Sequence, residues 1–248
     1  MFPLPYRPPV STILYVLFFV ELALLGGGLA FGKLNREGTC HLPRPLRMSL
    51  SAILVIAAFL GWQSGARDTP VQLYAASIFL GMAACFIGDL IMAQLIRVPN
   101  RLIFGMAAFG VGHLFYIAAF SLLRLQFGFA GTWMLPLVLA VMLVFCLWAW
   151  RTFVRKPGGR KTINTGSLVY GLLIGTMSGL AIGLALQQTS LLSLAAGAVL
   201  FLVSDFILGN WQVRGHVWKP VNDAIWTAYA SGQLLIVYSV AAVLNLLG

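Results

Sequence analysis

The chain has only six acidic residues, so each can be weighed for what it could do. Glu37 and Asp68 stand in polar stretches and call for no explanation. Glu21, Asp89 and Asp205 fall inside apolar runs, and Asp223 opens one. A carboxylate within a bilayer is costly unless it meets water, a cavity or a partner, so its presence there marks a functional site by default. For Asp223 the plainer reading is helix capping, because a helix N-terminus stabilises negative charge. Asp89 and Asp205 are different. Each lies about two turns from the end of its run, and both runs head the same way, which puts the two carboxylates in one layer. His113 and Tyr116, three residues apart, share a helical face. Tyr170 and Asn210 sit at a similar level. Six polar side chains from four helices therefore point to one buried pocket.

Two carboxyl groups in a site of low dielectric do not readily ionise together; one keeps its proton while the other stays charged. That pairing suits general acid and general base work across one bond. A serine hydrolase would need a Ser–His–acid set, and Ser204, next to Asp205, is expected on a different face. Catalytic zinc usually takes three protein ligands, and His113 is the one histidine within an apolar run. No metal and no other cofactor is expected; a site of two aspartates and one histidine is the weakly signalled exception. There is no Gly-rich phosphate loop with a lysine. Acid–base hydrolysis of a lipid-borne bond fits these residues best. A hydrogen-bond network that merely fixes helix register is the competing reading, and for His113 or Tyr116 alone it fits equally well.

Hydrophobic residues make up 60% of the 248 and charged ones 9%, against roughly a quarter charged in a soluble domain. Mean hydropathy is +0.92. A soluble enzyme is excluded, and the net charge of +10 reads as loops that anchor apolar spans rather than as a nucleic-acid surface. The fold class is all-α: a polytopic membrane protein, one bundle of about eight transmembrane helices, with residues 1–248 as a single integral-membrane domain. Apolar runs place spans near 13–32, 48–64, 72–95, 102–123, 133–153, 165–186, 190–210 and 224–247. Period-two patterns are absent, which argues against a β-barrel. The first run carries Glu21 and no small-x-small cleavage site, so it is read as a retained anchor.

The odd-numbered connections hold 13 of the 16 lysines and arginines, leaving Arg7, Arg67 and Arg124 to the other side. By the positive-inside rule the odd connections face the cytoplasm, both termini lie outside, and the pocket opens toward the cytoplasmic half. Size and the lack of trafficking motifs suggest a bacterial inner membrane. Cys40, Cys85 and Cys146 are widely spaced and build no disulfide framework. Gly171, Gly175, Gly179 and Gly183 form a stripe along the sixth span. Such a stripe lets a neighbouring backbone approach closely. It would also allow a homodimer, or line a narrow substrate slot; helix packing is the preferred reading.

At the chemistry-bearing residues the chain resembles the YhhN-like family of membrane lysoplasmalogenases. CFIGDLIMA (85–93) and FGMAAFGVGHLFYIAAF (104–120) look like that family's Gly-Asp in one helix, then Phe-Gly, Phe and His-x-x-Tyr in the next. LVYGLLIGTM (168–177) resembles its Val-Tyr…Ile…Met helix, and LFLVSDFILGNW (200–211) its Ile-Ser-Asp…Asn segment. RPLRM (44–48) and YASGQLLI (229–236) are weaker matches to Lys-Pro-Leu-x-Met and Tyr-x-Ala-Gln-x-Leu-Ile. The chain departs from the pattern at Trp211, where the family more often has Arg after Asn, and at Arg47 before Met48.

The resemblance implies hydrolysis of the vinyl ether bond of a lysophospholipid, giving a fatty aldehyde and a glycerophospho-ethanolamine or -choline. It implies Asp89 and Asp205 as the essential pair; the residues leave open which is acid and which base, Asp205 as acid and Asp89 as base being the preferred order. His113, Tyr116, Tyr170, Asn210, Tyr229, Gln233 and Arg47, together with Glu21 and Asp223, make up the binding or orienting set. Arg44, Arg97, Arg101 and Lys219 would join Arg47 at the mouth, facing a lipid phosphate. Membrane lipids are the expected surroundings. Two rivals stand beside this reading: a proton-coupled transporter of a lipid or small amphiphile, since buried acids and a histidine are also relay parts, and a scaffold whose polar cluster is structural. The transporter would predict inverted repeats, and the two halves show no convincing repeat.

Overall fold

The computed structural model describes residues 5, 6, 8–128 and 133–247; Arg7, counted above with the outer cations, lies outside them. Among the described residues, eight helices long and apolar enough to cross a membrane follow one another: α1 Val10–Phe31, α2 Arg44–Gly61, α3 Gln72–Met92, α4 Arg101–Gln126, α5 Met134–Ala149, α6 Lys161–Gln187, α7 Leu192–Gly209 and α8 Val221–Leu244. No strand occurs among the described residues. The expected all-α bundle of eight spans is what forms, with boundaries within a few residues of the apolar runs. Since a helix satisfies its own backbone groups, it can cross lipid where irregular chain cannot. Three spans end in a π-helical turn, at Trp62–Ala66, Trp150–Val154 and Asn210–Arg214. Such turns often accompany functional sites.

Burial divides the helices. The most apolar windows of α6 and α8 are 61% buried, those of α1 and α5 only 17%. The outer pair therefore offers its sides to lipid, while α6 and α8 form the middle of the bundle. Small residues set the closest approaches. A methyl group on Gly197 of α7 would come within 2.7 Å of the Gly232 carbonyl on α8, and one on Gly232 within 2.8 Å of the Gly197 carbonyl. In the same way, Gly81 of α3 leaves room for the ring of Tyr116 on α4. These two pairs, α3 with α4 and α7 with α8, each carry one of the two aspartates.

The glycine stripe of α6 packs inside the chain. Gly175, Gly179 and Gly183 face Cys146, Leu139 and Leu135 of α5. Helix packing, the preferred reading of the stripe, accounts for these three positions. Gly171 is the exception, with no atom within 4 Å of the place its side chain would occupy. The three cysteines are free and buried.

The odd connections gather at one end of the bundle. Asn100 begins α4 there as a true cap, its side chain accepting from the backbone N–H groups of Leu102 and Ile103 at 3.1 and 3.2 Å. Asn35 folds the first connection on itself, taking the backbone N–H of Thr39 at 2.8 Å and of Cys40 at 3.2 Å. Asp223 then ties that connection to α8. It accepts the His41 backbone N–H at 2.8 Å, and the His41 ring Nδ1 lies 2.6 Å from its other oxygen. Asp223 therefore does not cap its own helix, which has no side-chain cap. The loop has outcompeted the helix end for the carboxylate.

Candidate functional site

A cavity of about 300 Å³ opens at this end. Its walls include Asp89 of α3 and Asp205 of α7, and its rim carries Arg44, Arg47 and Arg101. Asn35, Glu37 and Thr39 of the first connection complete one side. Arg97 borders an adjoining surface hollow with Arg44 and Arg101, whereas the Lys219 stem lies against Gly38.

Each aspartate is held by its own set of donors. On Asp89, which is 5% exposed, one oxygen, Oδ2, accepts both the Ser51 hydroxyl at 2.5 Å and the Tyr229 hydroxyl at 2.8 Å. Ser51 comes from α2 and Tyr229 from α8, so three helices meet at one carboxylate. Asp89 falls in the last turn of α3, closer to the helix end than its two-turn expectation. On the other wall the Tyr170 hydroxyl of α6 donates to Asp205 Oδ2. His113 Nε2 of α4 stands 3.0 Å from the Tyr170 oxygen and 3.6 Å from Asp205 Oδ2. Because that hydroxyl gives its own proton to Asp205, its oxygen is left to accept from the imidazole Nε2–H. His113 Nδ1 is buried without a partner. The order is thus His113, Tyr170, Asp205, running from the core to the cavity.

Asp205 also borders a second space. A narrow apolar slot of about 50 Å³ lies between α4, α6 and α7, and Asp205 and Leu208 line both it and the polar cavity. Tyr170 and Gly171 line the slot alone.

Of the site residues expected from the sequence, Asp89, Asp205, His113, Tyr170, Tyr229 and Arg47 come together here. Five do not. Asn210 turns away: its amide donates to the Phe153 carbonyl at 2.6 Å and its oxygen faces His216 Nδ1 at 3.0 Å. Five positions beyond Asp205 on a helix is more than a third of a turn off its face, so equal depth does not mean the same side. Arg214 binds the neighbouring Thr152 carbonyl, and the two π-helical turns are thereby clipped together. Tyr116 donates to Gln233 Oε1 at 2.7 Å. This pair is fully buried beside Met82, and neither residue lines the cavity. The Phe201 ring, 4.8 Å from His113 and 5.3 Å from Tyr229, packs between those two groups. Glu21 is buried on α1, away from the cavity, and neither of its oxygens has a partner. Asp223 holds the loop as described.

Ser51 and Trp226 belong to the site though the sequence reading passed over them, and Ser204 and Glu37 line it though that reading set them aside. Ser51 had a signal: it is four residues after Arg47 and so on the same face of α2. Contrary to the expectation of a separate face, Ser204 lines the cavity with Asp205; its hydroxyl donates to the Phe201 carbonyl at 3.0 Å. Trp226 carries the Arg47 guanidinium 5.5 Å above its ring, a cation–π contact, and Arg47 Nε has no partner. Beside the rim, burial pushes the Cys40 thiol up to about 11, so it stays neutral near pH 7 and donates to the Leu42 carbonyl at 3.2 Å. Among the described residues no three of His, Cys, Asp and Glu are grouped so as to hold a metal ion.

In a comparison against known families, residues 42–240 match the YhhN family. The chain belongs to the YhhN family. The matched stretch runs from the end of the first connection into α8, and so contains both aspartates and every residue that binds them. Neither a curated protein nor a solved structure gave a match. The YhhN chain is thus an integral membrane protein with two aspartates on one polar cavity near the end of its bundle.

Proposed function

We propose that this YhhN protein is a membrane hydrolase that cleaves the vinyl ether bond of lysoplasmalogens by acid–base catalysis. The observation that carries the reading is the placement of Asp89 and Asp205 on one cavity, each anchored by different donors, beneath a rim of arginines. The family resemblance at those residues supplies the substrate.

Vinyl ether hydrolysis begins with protonation of the alkenyl carbon remote from oxygen. The resulting oxocarbenium ion takes water at the carbon next to oxygen. The hemiacetal then collapses to a fatty aldehyde and the glycerol hydroxyl. The acid must reach a carbon of the chain, while the base must hold water beside the head group. Asp205 borders both the apolar slot and the polar cavity, and is assigned the acid. Asp89 lies in the polar cavity alone, where the Ser51 and Tyr229 hydroxyls hold one of its oxygens and leave the other facing the cavity's polar space. It is assigned the base and the stabiliser of the cation. Tyr170 and His113 orient the acid. Arg44, Arg47 and Arg101 face the lipid phosphate. With the positive-inside rule, this mouth faces the cytoplasm.

The test is aldehyde release by the purified protein in detergent, offered 1-alkenyl lysophospholipid beside its saturated 1-alkyl analogue. Aldehyde from the alkenyl lipid alone is expected. A folded sample that releases none overturns the reading in favour of transport or other lipid chemistry.

A further inference from the structure

We infer that the slot between α4, α6 and α7 receives the first carbons of the substrate chain, and that Gly171 is kept without a side chain to admit them. The inference rests on the hydrolase reading above, which it extends to how the chain is held.

Three observations carry it. The slot and the polar cavity meet at Asp205 and Leu208, so a molecule with a polar and an apolar part can occupy both only by crossing that junction. The slot is walled by hydrocarbon, with Met106 of α4, Ile174 of α6 and Leu202 and Phe206 of α7. Its other polar group away from the junction, the Ser167 hydroxyl, is already engaged, accepting from Trp150 Nε1 and donating to the Asn164 carbonyl, each at 3.0 Å. A polar guest would therefore lose its water for nothing in return, while an alkyl segment would gain burial. Finally, Gly171 stands apart from its own stripe. The other three glycines are filled by α5 side chains, but beside Gly171 there is open space. Helix packing explains those three and leaves the fourth without a reason.

The slot is small, about 50 Å³. It accommodates the carbons nearest the ether oxygen and leaves the rest of the chain to lipid. Selectivity should accordingly fall on shape near the bond rather than on total chain length. A side chain at Gly171 should exclude the chain, and a smaller residue at Met106 should admit a thicker one.

The experiment uses a saturated 1-alkyl lysophospholipid carrying a diazirine on the fourth carbon of the chain, photolysed with the full-length protein in detergent. Labelled peptides are mapped in the presence and absence of unlabelled 1-alkyl lysolipid. Competable labelling is expected in the segments containing Met106 and Gly171–Ile174, and Gly171→Leu should cut it about tenfold. Labelling spread over the lipid-facing sides of α1 and α5, unaffected by Gly171→Leu, overturns the inference. Met106→Ala provides a second variant whose effect has the opposite sign: it should accept a 1-alkenyl lysolipid methyl-branched near the ether, which the parent protein discriminates against about tenfold. Unchanged discrimination in a folded Met106→Ala protein counts against the slot. If the slot is labelled as expected and no alkenyl lipid yields aldehyde, the chain site stands and the hydrolase reading falls.

Discussion

Asp89 on α3 and Glu21 on α1 are both carboxylates within membrane-spanning helices, 5% and 1% exposed. Ser51 and Tyr229, from two other helices, donate to Asp89, and beside it is a polar cavity ringed by arginines. Glu21 has nothing of the kind: both oxygens are buried without a partner. Asp205 is housed like Asp89, with Tyr170 donating and His113 behind it. A buried acid in an apolar helix is therefore not a sufficient sign of chemistry. What separates the two cases is whether neighbouring helices have been furnished with donors and room for a substrate.

The largest effect expected from that contrast is at the aspartates. Asp89→Asn and Asp205→Asn keep the shape of the side chain and remove its proton chemistry, so each should lower turnover of 1-alkenyl lysolipid by about a thousandfold. Aldehyde release by protein with unchanged elution and melting behaviour measures it. Variants that retain most of their turnover would put Asp89 in the same class as Glu21 and leave the cavity without an acid–base pair.

Smaller losses should follow the donors. Tyr170→Phe removes the hydroxyl between His113 and Asp205; a hydrogen bond to a charged or proton-transferring group is worth roughly 1.5–3 kcal/mol, or about tenfold to a hundredfold in rate. The loss should fall on kcat, with KM little changed, and the alkaline limb of the pH profile, set by the general acid, should move, which a purely structural tyrosine would not cause. Ser51→Ala leaves Asp89 one of its two donors and should cost about fivefold, in keeping with about 1 kcal/mol for a single hydrogen bond. A Ser51→Ala protein as impaired as Tyr170→Phe would mean that Asp89, not Asp205, is the more finely poised group.

The sequence makes the bundle legible because lipid leaves few choices. Apolar runs of span length must be helices, and all eight were placed within a few residues. The two aspartates were legible by their rarity in such runs. The partners were legible only in part: His113, Tyr170 and Tyr229 are among the expected residues, but which group each binds depends on helix rotation and on which helices adjoin, and neither is written locally. Asn210 shares the depth of Asp205 yet points at the Phe153 carbonyl. Tyr116 is three residues from His113 and binds Gln233 on another helix. Asp223 looked like a cap until the first connection folded back to claim it. Ser51 is one of several serines in the chain, and only the packing of α2 against α3 and α8 gives it a carboxylate to bind.

Glu21 offers the smallest effect on turnover and the most direct way to break the contrast. A carboxyl buried on a membrane-spanning helix with no protein partner loses hydration without compensation from its neighbours, so Glu21→Leu, close in volume and apolar, should raise stability. An increase of about 1–3 kcal/mol is expected from removing one unsatisfied buried polar group. It should appear as a higher thermal midpoint in detergent, with aldehyde release unchanged within about twofold. Glu21→Gln separates the causes: it keeps polar atoms in the same place and should gain less than leucine. If instead leucine abolishes turnover in a protein that melts no lower than the parent, Glu21 is a working acid whose partner is substrate or water rather than protein. The rule drawn from Asp89, that function requires neighbouring donors, would then fail in the same molecule that suggested it.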